Sequence, residues 1–278
     1  MRRSIWHPVL LTLTLLAGSL PLSATAEAAG IRPGLGTIGE NHQEVLLAGY
    51  RRFRFRVRTS RYRSGGFRRG PECFVDPNDR LAVIAPPAKP EEEVAAFDEA
   101  LDARTDNADN VGPIDKTASA HPVFLAYIPQ LRNATEAQLT VQTSDFMNQI
   151  ADIPFEVSSE GGIVAIQVPS NTPGLEVGSQ YIWQLAVQCN TADNSRSDDL
   201  AIESWIEREA IAASAPSTPQ ERVAFYAEQG IWQETASTLA QLRHQFPDDA
   251  AISRDWAALM ADVGLDQYAS VPVVQVVR

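Results

Sequence analysis

A mainly β chain with an α-helical C-terminal part is predicted by three observations. Residues 123–208 hold short runs of β-branched and aromatic residues between Pro, Gly, Asn and Ser clusters. Within LEVGSQYIWQLAVQC at 175–189, Tyr181, Trp183, Leu185, Val187 and Cys189 recur at period two while Gln184 and Gln188 fall on the other face, the signature of a half-buried strand. After residue 213 the apolar period lengthens to that of helices. The approach to Tyr181 through Leu175 and Gly178 resembles the tyrosine corner of immunoglobulin-like domains. The expected architecture is therefore an immunoglobulin-like β-sandwich of about seven strands, followed by a small helical, tetratricopeptide-like hairpin.

Residues 1–26 read as a signal peptide: Arg2 and Arg3 form a charged start, 9–17 an apolar run, and Ala24-Thr25-Ala26 a small-residue cleavage site. The alternative, an uncleaved membrane anchor, needs about 20 apolar residues, and this run is shorter. No later segment is apolar enough to cross a bilayer, so the mature chain is expected to be exported with no transmembrane span. Removing two arginines takes the formal net charge from −12 to −14. An acidic chain of this kind is not expected to bind nucleic acid.

Residues 27–70 form a flexible lead that ends in an arginine and aromatic arm. There Arg52, Arg54, Arg56, Arg58, Arg61, Arg63, Arg68 and Arg69 are interleaved with Phe53, Phe55, Tyr62 and Phe67. In an extended chain Arg52 to Arg58 share one side and Phe53, Phe55 and Val57 the other. Guanidinium groups bind carboxylate, phosphate or sulfate in a planar, bidentate way. These arginines are the anion-binding candidates, with pairing to acidic residues of the same chain as the alternative.

The sandwich is assigned to residues 71–212. Its strands are expected at 81–85, 123–128, 137–143, 153–157, 163–168, 181–189 and 200–208, with an acidic linker inserted at 86–118. Residues 213–278 supply the helices. Thr218 caps the first, with Pro219 in its first turn and Gly230 after its end; the second spans 231–246, and the third begins at Pro247-Asp248-Asp249 and ends near Gly264. Deleting residues 218–278 is expected to leave the sandwich folded.

Cys73 and Cys189 are the only cysteines. In an exported chain an even count favours pairing, and the disulfide would tie the approach to the first strand to the end of the strand at 181–189; two buried thiols are the alternative. No metal-ligand spacing joins His7, His42, His121 and His244, and no nucleophile elbow or phosphate loop is present. Glu203 and Glu207 are spaced to share a solvated strand face. No catalytic residue, metal or cofactor is expected.

Six motifs in order, RSGGFRRGPEC at 63–73, HPVFLAYIP at 121–129, GGIVAIQVP at 161–169, LEVGSQYIWQL at 175–185, SRSDDLAIESWIER at 195–208 and ERVAFYAEQGIW at 221–232, resemble the exported cyanobacterial proteins grouped as domain of unknown function 928. The resemblance spans roughly residues 63–270. It implies export to the periplasm or cell surface, and it supplies no mechanism, since the family has no established activity. Genes of the family often lie near those of adhesin-like proteins, their secretion partners and extracytoplasmic sensors. The expectation is a non-enzymatic binding or adaptor module of the cell envelope, whose partner is an envelope protein or an anionic envelope polymer. The alternatives are an accessory subunit of an adhesin-secretion or sensor assembly, and an envelope polysaccharide or peptide hydrolase.

Overall fold

The computed structural model describes residues 64–65, 73–87, 115–189 and 199–278. The expected signal peptide, the lead, the arm but for Ser64 and Gly65, and most of the acidic linker lie outside the described residues. The strands are β1 Ser64–Gly65, β2 Leu81–Val83, β3 Asp115–Thr117, β4 Val123–Ile128, β5 Thr135–Thr143, β6 Gln149–Val157, β7 Gly162–Gln167, β8 Gln180–Val187 and β9 Leu200–Arg208. Helices α1 Pro219–Glu228, α2 Trp232–Gln245 and α3 Ala250–Asp262 follow, then a short 3₁₀ turn and β10 Val273–Val277.

Two five-stranded sheets result, one in the order β1-β2-β4-β7-β10 and the other β3-β9-β8-β5-β6. The two have different sequence patterns because they are covered differently. In the second sheet, β5 and β9 alternate strictly: Ala137, Leu139 and Val141, and Ile202, Ser204 and Ile206, point inward between exposed or half-buried neighbours. In the first sheet, β4 and β7 are buried almost throughout, as befits strands covered on both faces. Phe124 packs on Trp183 of the opposite sheet at a ring separation of 4.7 Å, so Phe124, Ala126 and Ile128 face the inter-sheet core. Tyr127, on the alternate face, meets Tyr268 beyond α3 at 5.2 Å.

The helices thus form a third layer on the first sheet. Thr218 caps α1 as expected, its hydroxyl accepting from the Glu221 amide. Gly230, at φ 71°, makes the turn into α2, a backbone conformation open to glycine at no steric cost. From α2, Trp232 Nε1 donates to the Ile84 carbonyl at 3.2 Å and the Gln233 amide to that of Val123. Asp249 caps α3 through two backbone amides. Trp232, Leu239, Trp256, Leu259 and Met260 belong to the same buried cluster as the sandwich residues. The expectation that residues 218–278 can be removed without harm is therefore corrected, since their loss would strip one whole face of β4 and β7.

Two further expectations change. The stretch 86–118, read as an acidic linker, ends in β3, which pairs in parallel with β9. The segment 213–278, assigned to helices of which the last ends near Gly264, finishes in β10, which pairs in parallel with β7. Both strands are short and their partners are remote in sequence, so local pattern does not announce them. β10 comes close because Gly162 makes room: a Cβ there would meet Val274 Cγ1 at 2.5 Å. At the same edge Gln275 Nε2 donates to the Glu156 carbonyl of β6 at 2.8 Å, stitching one sheet to the other. At the opposite edge β1 and β2 lie against β9.

Candidate functional site

The arginines proposed to bind anions, Arg52, Arg54, Arg56, Arg58, Arg61, Arg63, Arg68 and Arg69, lie outside the described residues. Cys73 and Cys189 are bonded, with Cα atoms 5.2 Å apart and a separation of 116 positions in sequence. By loop entropy such a bridge constrains the unfolded chain by up to about 4–5 kcal/mol.

Each histidine among the described residues meets a backbone carbonyl. The ring Nε2 of His121 lies 3.1 Å from the Thr172 carbonyl and Nδ1 of His244 lies 2.9 Å from that of Val273; a carbonyl only accepts, so each nitrogen carries the proton. Among the described residues no group of three or more His, Cys, Asp or Glu side chains is arranged to hold a metal ion.

Two buried carboxylates were not anticipated, because polar letters on a helix read as solvent-facing. Glu234, in the first turn of α2, accepts from the Thr117 hydroxyl at 2.5 Å, the Ala118 amide at 3.0 Å and the Ser119 amide at 3.2 Å. Burial pushes its carboxyl above the usual range, although these three donors pull the other way. It staples the helix layer to β3. Asp255 of α3 is 1% exposed, and neither of its carboxylate oxygens has a hydrogen-bond partner. Burial pushes it up to about 6, with Arg254 opposing and Asp249 adding to the rise.

The outer face of the second sheet, which the described helices do not cover, carries mostly carboxylates, with Lys116 of β3 in register with Glu207 and paired to Glu209 at 2.6 Å. Cross-strand register sets Glu203, Trp205 and Glu207 of β9 beside Gln184, Ile182 and Gln180 of β8. Thr140 and Gln142 of β5 continue two of these rows, and Asp152 and Glu156 of β6 add two more carboxylates. Glu203 and Glu207 share this face as the sequence predicts, and burial raises the Glu203 carboxyl. Ile182 is fully buried there yet stands apart from the core cluster.

At one end of this sheet lies an open cleft of about 700 Å³. Its walls are the β5–β6 tip, through Thr143, Asp145 and Asn148, and the β7–β8 turn, through Glu176, Ser179 and Gln180. Both walls are braced. Thr143 Oγ1 donates to Asp145 Oδ1 at 2.5 Å, and that oxygen also accepts the Met147 amide at 3.0 Å. These bonds hold the Asp145 carboxyl below its usual range. Across the cleft, Tyr181 Oη accepts the Glu176 amide at 2.8 Å and Gly178, at φ 79°, completes the turn. No lining residue is Lys, Arg or His. The arrangement suits a neutral or cationic ligand, the reverse of what the arm's arginines would take. Sequence reasoning missed the cleft because its walls lie about thirty residues apart along the chain, a separation that only strand pairing of this kind closes.

A family model described as Domain of Unknown Function (DUF928) matches residues 63–273, from just before β1 to the first residue of β10. No curated protein and no solved structure matches the chain.

Proposed function

From the premise that the chain belongs to the DUF928 family, whose description carries no activity, we propose that it is an exported, non-enzymatic binding or adaptor module of the cell envelope. The observation that carries this reading is the division of surfaces: helices cover the first sheet, while the second turns a mainly acidic outer face away from the described helices, ending in a braced cleft. Folded scaffolds that hold such surfaces on rigid strands and short loops are suited to recognition. The disulfide supports an oxidising compartment, as export requires.

An immunoglobulin-like identity for the sandwich is supported by two features. Its strands pass between the sheets as β2-β4-β7 and β9-β8-β5-β6, a Greek-key succession. Tyr181 opens β8 with the hydrogen bond of a tyrosine corner. The turn at Gly230 between α1 and α2, with the small Ala236 buried against the preceding helix layer, supports the tetratricopeptide-like hairpin.

In this reading Arg52, Arg54, Arg56 and Arg58 hold an anionic envelope polymer. Calorimetric titration of the full chain with polygalacturonate tests it. Binding that weakens at high salt and disappears when the four arginines become Ser is the expected result; binding indifferent to both changes rules the arm out. A second reading, an accessory subunit of an adhesin-secretion or sensor assembly docking through the terminal helices, is favoured by Phe246, whose ring is exposed at the end of α2. Phe246→Ser tests it without stripping the sheet: release of a co-purifying assembly subunit is expected, and full retention would exclude this contact.

A further inference from the structure

We propose that the cleft between the β5–β6 tip and the β7–β8 turn is a docking site for a basic, aromatic polypeptide segment, its cation seated between Asp145 and Glu176 and its large apolar side chains resting on Phe146, Met147 and Val177. The site is separate from the arm and stands whether or not the arm binds anionic polymers.

Three observations converge. The first is apolar exposure. The large hydrophobic side chains left exposed among the described residues are Val75, Phe146, Met147, Val177 and Phe246. Three of them belong to the two loops that wall this cleft, next in sequence to lining residues: Phe146 at 60% and Met147 at 78% exposed between Asp145 and Asn148, and Val177 at 54% between Glu176 and Gly178. Apolar side chains rimming a polar depression mark an interaction surface.

The second is strain without an internal return. Phe146 has φ 61°, and among the described residues it is the one non-glycine with positive φ. An aromatic residue held there is strained. The hydrogen bonds of Thr143, Asp145 and Asn148 impose the conformation. The ring nevertheless projects into solvent. Packing against a partner is the term that offsets the cost, and strain of this kind concentrates at binding sites.

The third is charge. Asp145 and Glu176 stand on opposite walls, Asp145 is held ionised by its two donors, and no basic side chain lines the space. Anions are repelled and a cation is welcome. Because both loops that wall the cleft also carry exposed apolar side chains, the occupant that matches them carries large apolar side chains on either side of its cation. A polypeptide with alternating arginine and aromatic residues does so, and residues 51–58 of this chain, RRFRFRVR, show that chemistry in sequence.

The test titrates a fluorescent synthetic peptide of sequence RRFRFRVR into the full chain, followed by anisotropy, and repeats it with Phe146→Gly and with the pair Asp145→Asn and Glu176→Gln. Glycine adopts positive φ freely, so Phe146→Gly should melt at or above the temperature of the natural protein while weakening the peptide roughly tenfold or more. Asn keeps the oxygen that braces the turn, so the charge variants should stay folded and lose the salt-sensitive part of the affinity. Each titration is repeated with Arg52, Arg54, Arg56 and Arg58 replaced by Ser, so that the chain's own segment does not compete. Peptide affinity unchanged by both cleft variants in either background overturns the proposal. So does a cleft that binds neutral oligosaccharide in an Asp145-dependent way and ignores the peptide. Neither result touches the polygalacturonate titration, so the two readings fail separately.

Discussion

The phenolic oxygen of Tyr181 accepts the backbone amide of Glu176, five residues upstream, at 2.8 Å. The bond fixes how the chain turns into β8, and it does so from a side chain that is itself buried in the inter-sheet core. Tyr181→Phe keeps the ring and removes the acceptor. It should cost about 1 kcal/mol, seen as a melting temperature lower by about 2–4 °C. A variant as stable as the natural protein would show that the turn is held by Gly178 and its neighbours alone.

Asp255 gives stability an unusual pH dependence. Its carboxyl is raised to about 6, so the folded chain holds this proton more tightly than the unfolded one. That contribution is complete below the ordinary aspartate value and is lost as pH rises through about 6. Urea unfolding between about pH 4 and pH 7 should therefore show a loss of about 2–3 kcal/mol from this group. Asp255→Asn should flatten the slope and stabilise the protein at neutral pH; an unchanged slope would assign the effect elsewhere.

Glu234 is the opposite case, a buried carboxylate with three donors satisfied. Glu234→Ala leaves the Thr117 hydroxyl and the Ala118 amide without their acceptor, while the Ser119 amide keeps Thr117 Oγ1 at 3.1 Å, and should cost about 2–3 kcal/mol. Glu234→Gln retains one carbonyl oxygen and should cost less. Hydrogen exchange should report the damage at residues 115–119 first.

The Cys73–Cys189 bridge is tested by reduction. Dithiothreitol, or Cys73→Ser with Cys189→Ser, should lower the unfolding free energy by about 2–4 kcal/mol. Equal stability of the oxidised and reduced chains would mean that the bridge constrains little.

Gly162→Val places a branched side chain where Val274 already sits. β10 should be displaced, with loss of protection along β7 and a greater tendency to aggregate, because an uncovered strand edge pairs with other chains. Light scattering on refolding measures the second effect, and unchanged protection along β7 would argue against the first.

How much of this could be read from the chain follows the range of the interactions. Alternation in β5, β8 and β9, the caps Thr218 and Asp249 and the turn at Gly230 are local, and each was legible. β3 was hidden because three residues, Asp115, Lys116 and Thr117, have no period of their own within an acidic stretch. β10 was hidden because its partner Ile163 is remote, and a β-branched run after helices has no local sign of what it joins. The burial of Gln233 and Glu234 on α2 was illegible for a different reason: their partners belong to β3 and β4 and the loop between them, so the helix looks amphipathic on its own. The cleft had one faint signal, Phe146-Met147 inside a turn begun by Asp145, where polar residues are the rule.

The parallel seam between β7 and β10 sets a clock on assembly. Ile163 finds Val273 only after the intervening stretch, helices included, has been made and threaded. Until then β7 offers a bare ladder of amides and carbonyls beside a floor of valines and isoleucines. A chain with this layout stays unfinished late, and that edge needs shelter until the last strand arrives.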